Sequence, residues 1–353
     1  MTGKTALHQK IARTLRRQIL SGAFDADGRL PDEMSLAKRF GVSRTTISRV
    51  MLDLKTGGLI VTCAGTPARL SRFAKNATGV IGIIDPGRSC GSVLSAICDR
   101  MVQLVERSGW CVERHVMTET NPDARAEETM RIARAFAEHR VSGVILQPLE
   151  FQCDNVSANR ALVESLDAKG MSVVLLDYDI VQKPERSKYD LVSIDNVAAG
   201  QLVASRLLAN GARRIGFVLP PNAPSSLTDR MHGVALAALG ANRPWRHVCN
   251  RLVSAPDDKR QVIRFLNTFR PDAVVLGNDS AALRFKSVLD GVCKGARPAL
   301  GSFDGRSEAV AAGIVSVRQP VEKLAYVAVQ TLLSRIKFPN LPRRTVLLDA
   351  ELA

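Results

Sequence analysis

The chain has 353 residues, a length that suggests two or three domains and is ample for a buried core. Apolar residues make up 46% and charged residues 24%, which excludes a disordered chain. No run approaches the ~18 apolar residues of a membrane helix, and residues 1–10 lack the apolar stretch of a secretory signal. The formal charge is +15, and residues 1–75 carry 14 Lys/Arg against 5 Asp/Glu, so +9 of the excess falls in about a fifth of the chain. A basic N-terminal segment points to a polyanionic partner. The seven cysteines, Cys63, Cys90, Cys98, Cys111, Cys153, Cys249 and Cys293, are odd in number and contain no C-x-x-C. They read as reduced thiols of a cytoplasmic protein, with no disulfide frame and no metal site.

Leu7, Ile11, Leu15 and Ile19 recur every four residues, with Lys10, Arg13, Arg16 and Arg17 between them. The spacing predicts a helix with one apolar stripe and a basic face. Ser21-Gly22 stops it. Pro31 with Asp32 and Glu33 opens a second, short helix whose buried side is Leu36, Ala37 and Phe40. Gly41-Val42 makes a tight turn, and Ser43 caps a third helix. That helix has Ile47, Val50, Met51 and Leu54 as its apolar face, and Gly57-Gly58 ends it. Leu59–Cys63 and Ala68–Arg72 flank Ala64-Gly65-Thr66-Pro67 as a hairpin.

This order is that of a winged helix-turn-helix, whose third helix fits the DNA major groove. Arg44 can fork onto a guanine or clamp a phosphate. Thr45 and Thr46 can bond phosphate or base, the free N–H groups at the helix start favour phosphate, and Arg49 adds a cation. Residues 7–70 resemble the DNA-binding domain of the GntR family through Ile19-Leu20-Ser21-Gly22, Gly28-Arg29-Leu30-Pro31, Leu36-Ala37, Gly41 to Thr46 and Gly57-Gly58-Leu59-Ile60. The resemblance implies DNA contacts at Ser43, Arg44 and Thr46, and at Gly65 on the wing tip. The sequence departs from the family at Met34 and Ser48, where arginines are usual.

Domain boundaries are expected at 1–72 for the DNA-binding domain, 73–78 for a polar, basic linker, and 79–353 for the remainder. After the linker, short β-rich runs alternate with helical stretches. The runs are Gly79–Asp85, Gly143–Gln147, Ser172–Asp177, Arg214–Leu219, Asp272–Gly277 and Ile314–Val317. The helical stretches include Ser92–Ser108, Arg125–His139, Val197–Asn210, Ser225–Leu239 and Asp258–Phe269. The alternation predicts an α/β fold of two lobes, each with a doubly wound parallel sheet, and a ligand between the carboxyl ends of the strands. Asp85, Asp177, Asn278-Asp279 and Asp304 each follow an apolar run, where they suit a hydroxyl-rich ligand or a helix cap. Asp279 reads as a cap.

Residues 79–353 resemble the effector domain of LacI/GalR regulators, which is similar to periplasmic sugar-binding proteins. The matching segments include Val141 to Leu146, Val192 to Asn196, Gly211 to Phe217, Asp229 to Gly233, Asn278-Asp279, Phe303-Asp304 and Val317 to Pro320. The resemblance implies sugar contacts at Asp177 in the first lobe and at Arg230, Asn278 and Asp304 in the second. Asp195 and Asn196 would start the first helix of the second lobe. The aromatic pair usual after the first strand is missing, so Arg88 and Arg230 could meet a carboxylate or phosphate on the ligand.

The combination resembles arabinose-repressor-like regulators. It implies a cytoplasmic, homodimeric repressor that binds double-stranded DNA operators under control of a sugar or sugar-derived effector, with no cofactor and no membrane partner. A stand-alone sugar-binding protein is the alternative. No catalytic motif of the phosphate-loop, dinucleotide, nucleophile-elbow or zinc-protease type occurs, and the five histidines show no metal spacing.

Overall fold

A computed structural model of the chain describes residues 7–8, 10–12, 14–15, 18–19, 24, 28–56, 59–62, 67–70, 79–87, 92–150, 155–241, 248–252, 256–293, 295 and 297–353. Gly65, Arg88 and the 73–78 linker lie outside these residues, as do Cys63, Cys90 and Cys153.

The N-terminal unit follows the expected order. Residues 7–19 are helical where described, with Ile11, Leu15 and Ile19 buried. Leu7, expected on the same stripe, is 45% exposed. Helix α1 (Glu33–Phe40) is capped by Asp32, whose carboxylate accepts from the Met34 and Ser35 amides. Pro31 therefore precedes the cap and does not occupy the first turn. Gly41 ends α1 at φ 62°, a left-handed conformation that glycine adopts without steric cost. Helix α2 (Arg44–Thr56) buries Ile47, Val50, Met51 and Leu54. Strands β1 (Ile60–Val61) and β2 (Arg69–Leu70) pair antiparallel as the wing. Residues 28–30 add a third edge, with Leu30 N–H donating to the Ala68 carbonyl and an Arg29–Arg69 bridge.

The remainder forms two six-stranded sheets. The first contains β3 (Val80–Asp85), β4 (Cys111–Val116), β5 (Gly143–Leu146), β6 (Ser172–Leu176), β7 (Asp190–Ile194) and β13 (Thr345–Leu348) in the order β13-β7-β6-β5-β3-β4, all parallel. The second contains β8 (Ile215–Val218), β9 (Val248–Leu252), β10 (Ala273–Leu276), β11 (Ala299–Asp304), β12 (Val315–Arg318) and β14 (Glu351–Leu352) in the order β14-β12-β11-β10-β8-β9, with only β14 antiparallel. Helices α3 (Ser92–Arg107), α4 (Pro122–Glu138) and α5 (Asn155–Asp167) accompany the first sheet, and α6 (Asn196–Ala209), α7 (Ser225–Gly240), α8 (Lys259–Phe269), α9 (Asp279–Val292) and α10 (Ser307–Ala311) the second. Helix α11 (Val321–Lys337) returns to pack on α3 and the first sheet. The chain thus crosses between lobes three times: after β7, after β12 and after β13.

Two close approaches, one in each lobe, lie beside the crossings. Asp190, at the start of β7 and 1% exposed, accepts from Arg335 on α11 and from the Arg344 backbone ahead of β13. A buried carboxylate needs such partners, and losing one leaves an uncompensated charge. Helices α6 and α7 meet through glycine: a Cβ on Gly200 would lie 2.2 Å from the Arg230 carbonyl oxygen, and one on Gly233 would lie 2.0 Å from that of Val197.

Among the described residues no helix is long and apolar enough to cross a membrane. Cys98, Cys111 and Cys293 are in no disulfide.

Because backbone cannot yield as a side chain end can, Gly233→Ala is expected to destabilise the two-lobed domain by about 1–3 kcal/mol. Gly240→Ala, whose added Cβ meets nothing within 4 Å, should change stability by less than about 0.5 kcal/mol. Urea denaturation of the two variants measures the difference; equal midpoints would refute the glycine contact.

Candidate functional site

Two candidate sites emerge, one on the recognition helix and one between the lobes. At the start of α2, Ser43, Arg44, Thr45 and Arg49 are exposed and Thr46 is half-buried. Ser43 Oγ accepts from the Thr46 amide at 3.3 Å and bonds its hydroxyl at 2.9 Å, so these two close the helix start. Arg44, whose side chain is 72% exposed, donates through Nε to Glu33 on α1 at 3.2 Å. The same Glu33 oxygen accepts from Ser48 Oγ at 2.8 Å. Ser48, a departure from the family pattern, thus ties the recognition helix to the helix before it. Met34, the other departure, stands 70% exposed beside Glu33. Glu33 is a functional neighbour that motif reading did not single out, although its place before the turn was visible.

Between the lobes, Asp177, Arg230, Asn278 and Asp304 all line one narrow cleft, joined by Gln147, Glu150, Ser226 and Gln319. Asp177 lies one residue past β6 and Asp304 ends β11; both have left-handed backbone, φ 77° and 116°. Such conformations cost about 1–3 kcal/mol in a residue with a Cβ and concentrate at binding sites. Arg230 on α7 is 5% exposed. Its Nε donates to Asn196 Oδ1 at 2.8 Å, its Nη1 to the Gly277 carbonyl at 2.6 Å, and its guanidinium lies 4.5 Å from the Phe303 ring centre. Asp195 caps α6 by accepting from the Ala198 amide, as expected, and this sets Asn196 against Arg230.

Asn278 differs from its expected role in part. Its Oδ1 caps α9 by accepting from Ala281 N–H at 2.8 Å, which leaves the amide nitrogen as its offering to the cleft. Asp279, read as the cap, is instead fully buried, accepting from the Ser302 and Ser316 hydroxyls and the Arg306 amide. The cap falls one residue earlier because only Asn278 has the extended backbone a cap needs. Asp85 is held by Arg114, Ser95 and the Gly87 amide and does not line the cleft. His232 is exposed and stands outside it.

Three carboxyl groups dominate the electrostatics. Gln147 Nε2 donates to Glu150 and, at 3.4 Å, to Asp177; Ser226 Oγ reaches Asp177 at 3.3 Å, and Gln319 Nε2 reaches Asp304 at 2.9 Å. Burial, reinforced by the neighbouring Asp177, pushes the Glu150 carboxyl up to about 8. Burial pushes Asp304 up to about 7 against the opposing pull of Arg230, and raises Asp177 in the same way. Glu150 was not found from sequence because it lies four residues past β5, beyond Pro148. A wider cavity of ≈ 380 Å³ adjoins, sharing Gln147, Glu150, Leu227, Gly277 and Asn278 with the cleft and adding Arg125, Met117 and Pro220. Neither space has a Phe, Tyr or Trp among its described lining residues. Lys183 and Asp229 form a 2.7 Å ion pair between the loop after β6 and α7, linking the lobes beside the crossing. Among the described residues no cluster of His, Cys, Asp and Glu could hold a metal ion.

Residues 7–69 match the family model of bacterial regulatory proteins of the gntR family, and residues 204–353 match that of a periplasmic binding protein-like domain. The chain joins a gntR-type helix-turn-helix to a two-lobed domain of periplasmic binding protein-like fold. It is 22% identical over 342 residues to the HTH-type transcriptional repressor PurR of Photobacterium profundum, covering 90% of this chain and 95% of the relative. The structure is similar to the transcriptional regulator CelR–cellobiose complex, with TM-score 0.64 and 19% identity over 92% of this chain and 98% of that one. It is also similar to the lac repressor dimer bound to operator and the anti-inducer ONPF, with TM-score 0.60 and 18% identity over 78% and 92% of the two chains. The fold similarity extends the likeness to the first lobe, which the second family model does not reach.

The raised carboxyls give a signed pH dependence. Folding favours their neutral forms, so this contribution to stability is complete below the ordinary carboxylate range, near pH 4, and is lost as pH rises through about 7–8. The ligand-free protein should melt lower at pH 9 than at pH 6, and Glu150→Gln should flatten that slope. Thermal melts at constant ionic strength decide it; a slope unchanged in the variant removes Glu150 as its source.

Proposed function

We propose that the protein is a DNA-binding transcription repressor whose operator binding is controlled by a sugar or sugar-derived effector held between the two lobes. The observation that carries this reading is the convergence of Asp177, Arg230, Asn278 and Asp304 on one interlobe cleft, in a chain that begins with a gntR-type helix-turn-helix. Carboxylates and amides aimed at a shared space suit vicinal hydroxyls. The similarity to regulators, one described with cellobiose and one with operator, supports both halves of the reading.

In this reading Arg44 contacts a base edge or phosphate, with Glu33 orienting its guanidinium. Ser43, Thr45, Thr46 and Arg49 contact the DNA backbone or base edges, and Gly65 approaches it from the wing. The protein acts in the cytoplasm as a homodimer, which sets two recognition helices on a two-fold symmetric operator. Effector binding favours one lobe arrangement and thereby one spacing of the reading heads; it can shift that equilibrium only by its differential affinity for the two states. The order of the domains is that of arabinose-repressor-like regulators, a finer likeness that rests on the motifs alone. We assign no catalytic role: the polar cleft groups are explained by binding, and the relatives named above are regulators.

Selection of bound sequences from a random DNA library at fixed, near-physiological salt should enrich a two-fold symmetric site; salt must be held because phosphate contacts make affinity steeply salt-dependent. Arg44→Ala should weaken binding to that site by about 1–3 kcal/mol if it reads a base edge. Unchanged affinity would remove Arg44 from the interface. Asp304→Ala should abolish the response to effector while leaving the operator bound, as gel-shift titration would register. Induction that survives this substitution would place the effector elsewhere.

A further inference from the structure

The cleft is poorly matched in charge. Glu150, Asp177 and Asp304 line it, and Arg230 is the only cation among the described residues that lines it with them. That arginine directs Nε and Nη1 to Asn196 and the Gly277 carbonyl, so those donors are spent within the protein. Arg125 lines the adjoining cavity, where its Nη groups donate to the Glu119 and Pro86 carbonyls. Arg284, at the same cavity, is 54% exposed and lies 3.9 Å from Asp257.

The carboxyls receive little from neutral donors. One Gln147 nitrogen serves both Glu150 and Asp177, Ser226 serves Asp177, and Gln319 serves Asp304. Two oxygens per carboxylate offer about four acceptor sites, so most of this capacity is unused by the protein. Gln147 is itself 7% exposed, and with its nitrogen turned to the carboxylates its Oε1 has no hydrogen-bond partner. Burial holds all three carboxyls above their ordinary range, so in the empty cleft they favour their neutral forms, and a cation seated among them would draw them to the charged form with release of protons. The space therefore wants donors and positive charge. A phosphate or carboxylate on the ligand would face this wall of acids and, among the described residues, gain only the Arg230 cation, whereas an Arg88–Arg230 anion site requires more than one.

We propose that the effector carries a protonated amino group beside its hydroxyls, as an amino sugar does, and that this cation sits between Glu150 and Asp177. Arg230 and Asp304 then face the hydroxyls, and Gln147 bridges the two carboxylates behind the cation. The inference rests on the cleft being the effector site.

The test is calorimetric titration of the full-length protein at pH 6.5 with matched sets: glucosamine, glucose, gluconate and glucose 6-phosphate, and the corresponding galactose and mannose series. The expected result is that within at least one set the amine binds tenfold or more tighter than its neutral parent, with the anions weakest. Glu150→Gln should reduce the amine-to-parent ratio toward one, and Glu150→Asp should restore part of it; melting curves of each variant confirm folding. Should the neutral or anionic member bind as tightly as the amine, the amine assignment is overturned and the sugar-sensor reading stands. Should no member of any set bind, both are overturned. The wild-type comparison within each set decides the proposal even if neither variant folds.

Discussion

Burying the Arg230 guanidinium takes five N–H donors away from water, and two fixed acceptors beside the cleft meet part of that demand. Asn196 must stand at the first turn of α6 to accept from Nε, and the end of β10 must present the Gly277 carbonyl to Nη1. The Phe303 ring lies against the guanidinium 4.5 Å away, where the ring face favours a cation. Asn196 in turn follows the Asp195 cap and donates to Ser193 and the Ile194 carbonyl at the end of β7. One side chain of the second lobe is thereby tied to the segment by which the first lobe is joined to it. The tight glycine seam between α6 and α7 serves the same end, because it lets Arg230 approach Asn196 closely. Ligand-facing groups and a crossing segment thus share partners at this point.

A similar economy governs the N-terminal unit. A single Glu33 oxygen holds Arg44 and Ser48, which lie one helical turn apart on α2. The carboxylate restrains a long, entropically costly side chain while leaving it 72% exposed. The replacement of the usual arginine by Ser48 then costs a cation but gains an anchor between two helices. In the proposed reading, sequence specificity at this surface depends on the relative orientation of α1 and α2 as well as on the residues that point outward.

Much of this was legible in the sequence because its cause is periodic. Buried parallel strands such as Val80–Asp85 and Ala273–Leu276 are continuous apolar runs, and α3 and α8 are strongly amphipathic. Strand β4 escaped because it is an edge strand carrying Glu113, Arg114 and His115, and β13 because it alternates exposed and half-buried residues. Helix α11 was obscured by burial: packed between α3 and the first sheet, it has apolar residues around most of its circumference. At the cleft, the strand-end rule reached Asp177 and Asp304, whose positions are local to a strand. It did not reach Glu150, which a proline-containing turn carries back to the cleft, nor Ser226 on α7; Gln147 and Gln319 stand one residue past β5 and β12, where an uncharged amide is a weaker signal than an acid. The exchange of roles between Asn278 and Asp279 turns on one residue of backbone conformation, which composition does not encode.

The two strands at residues 345–352 have a consequence for how the protein is made. Strand β13 closes one edge of the first sheet and β14 one edge of the second, three residues apart in the chain. During synthesis neither lobe can complete its sheet until this segment has left the ribosome, although nearly all of each lobe has emerged well before. The helix-turn-helix, whose described strand pairings fall within its own segment, can fold from the moment it is released. The reading head therefore exists before its sensor. Over that interval the nascent chain offers a basic surface while two unfinished sheet edges remain open to chaperones or to each other.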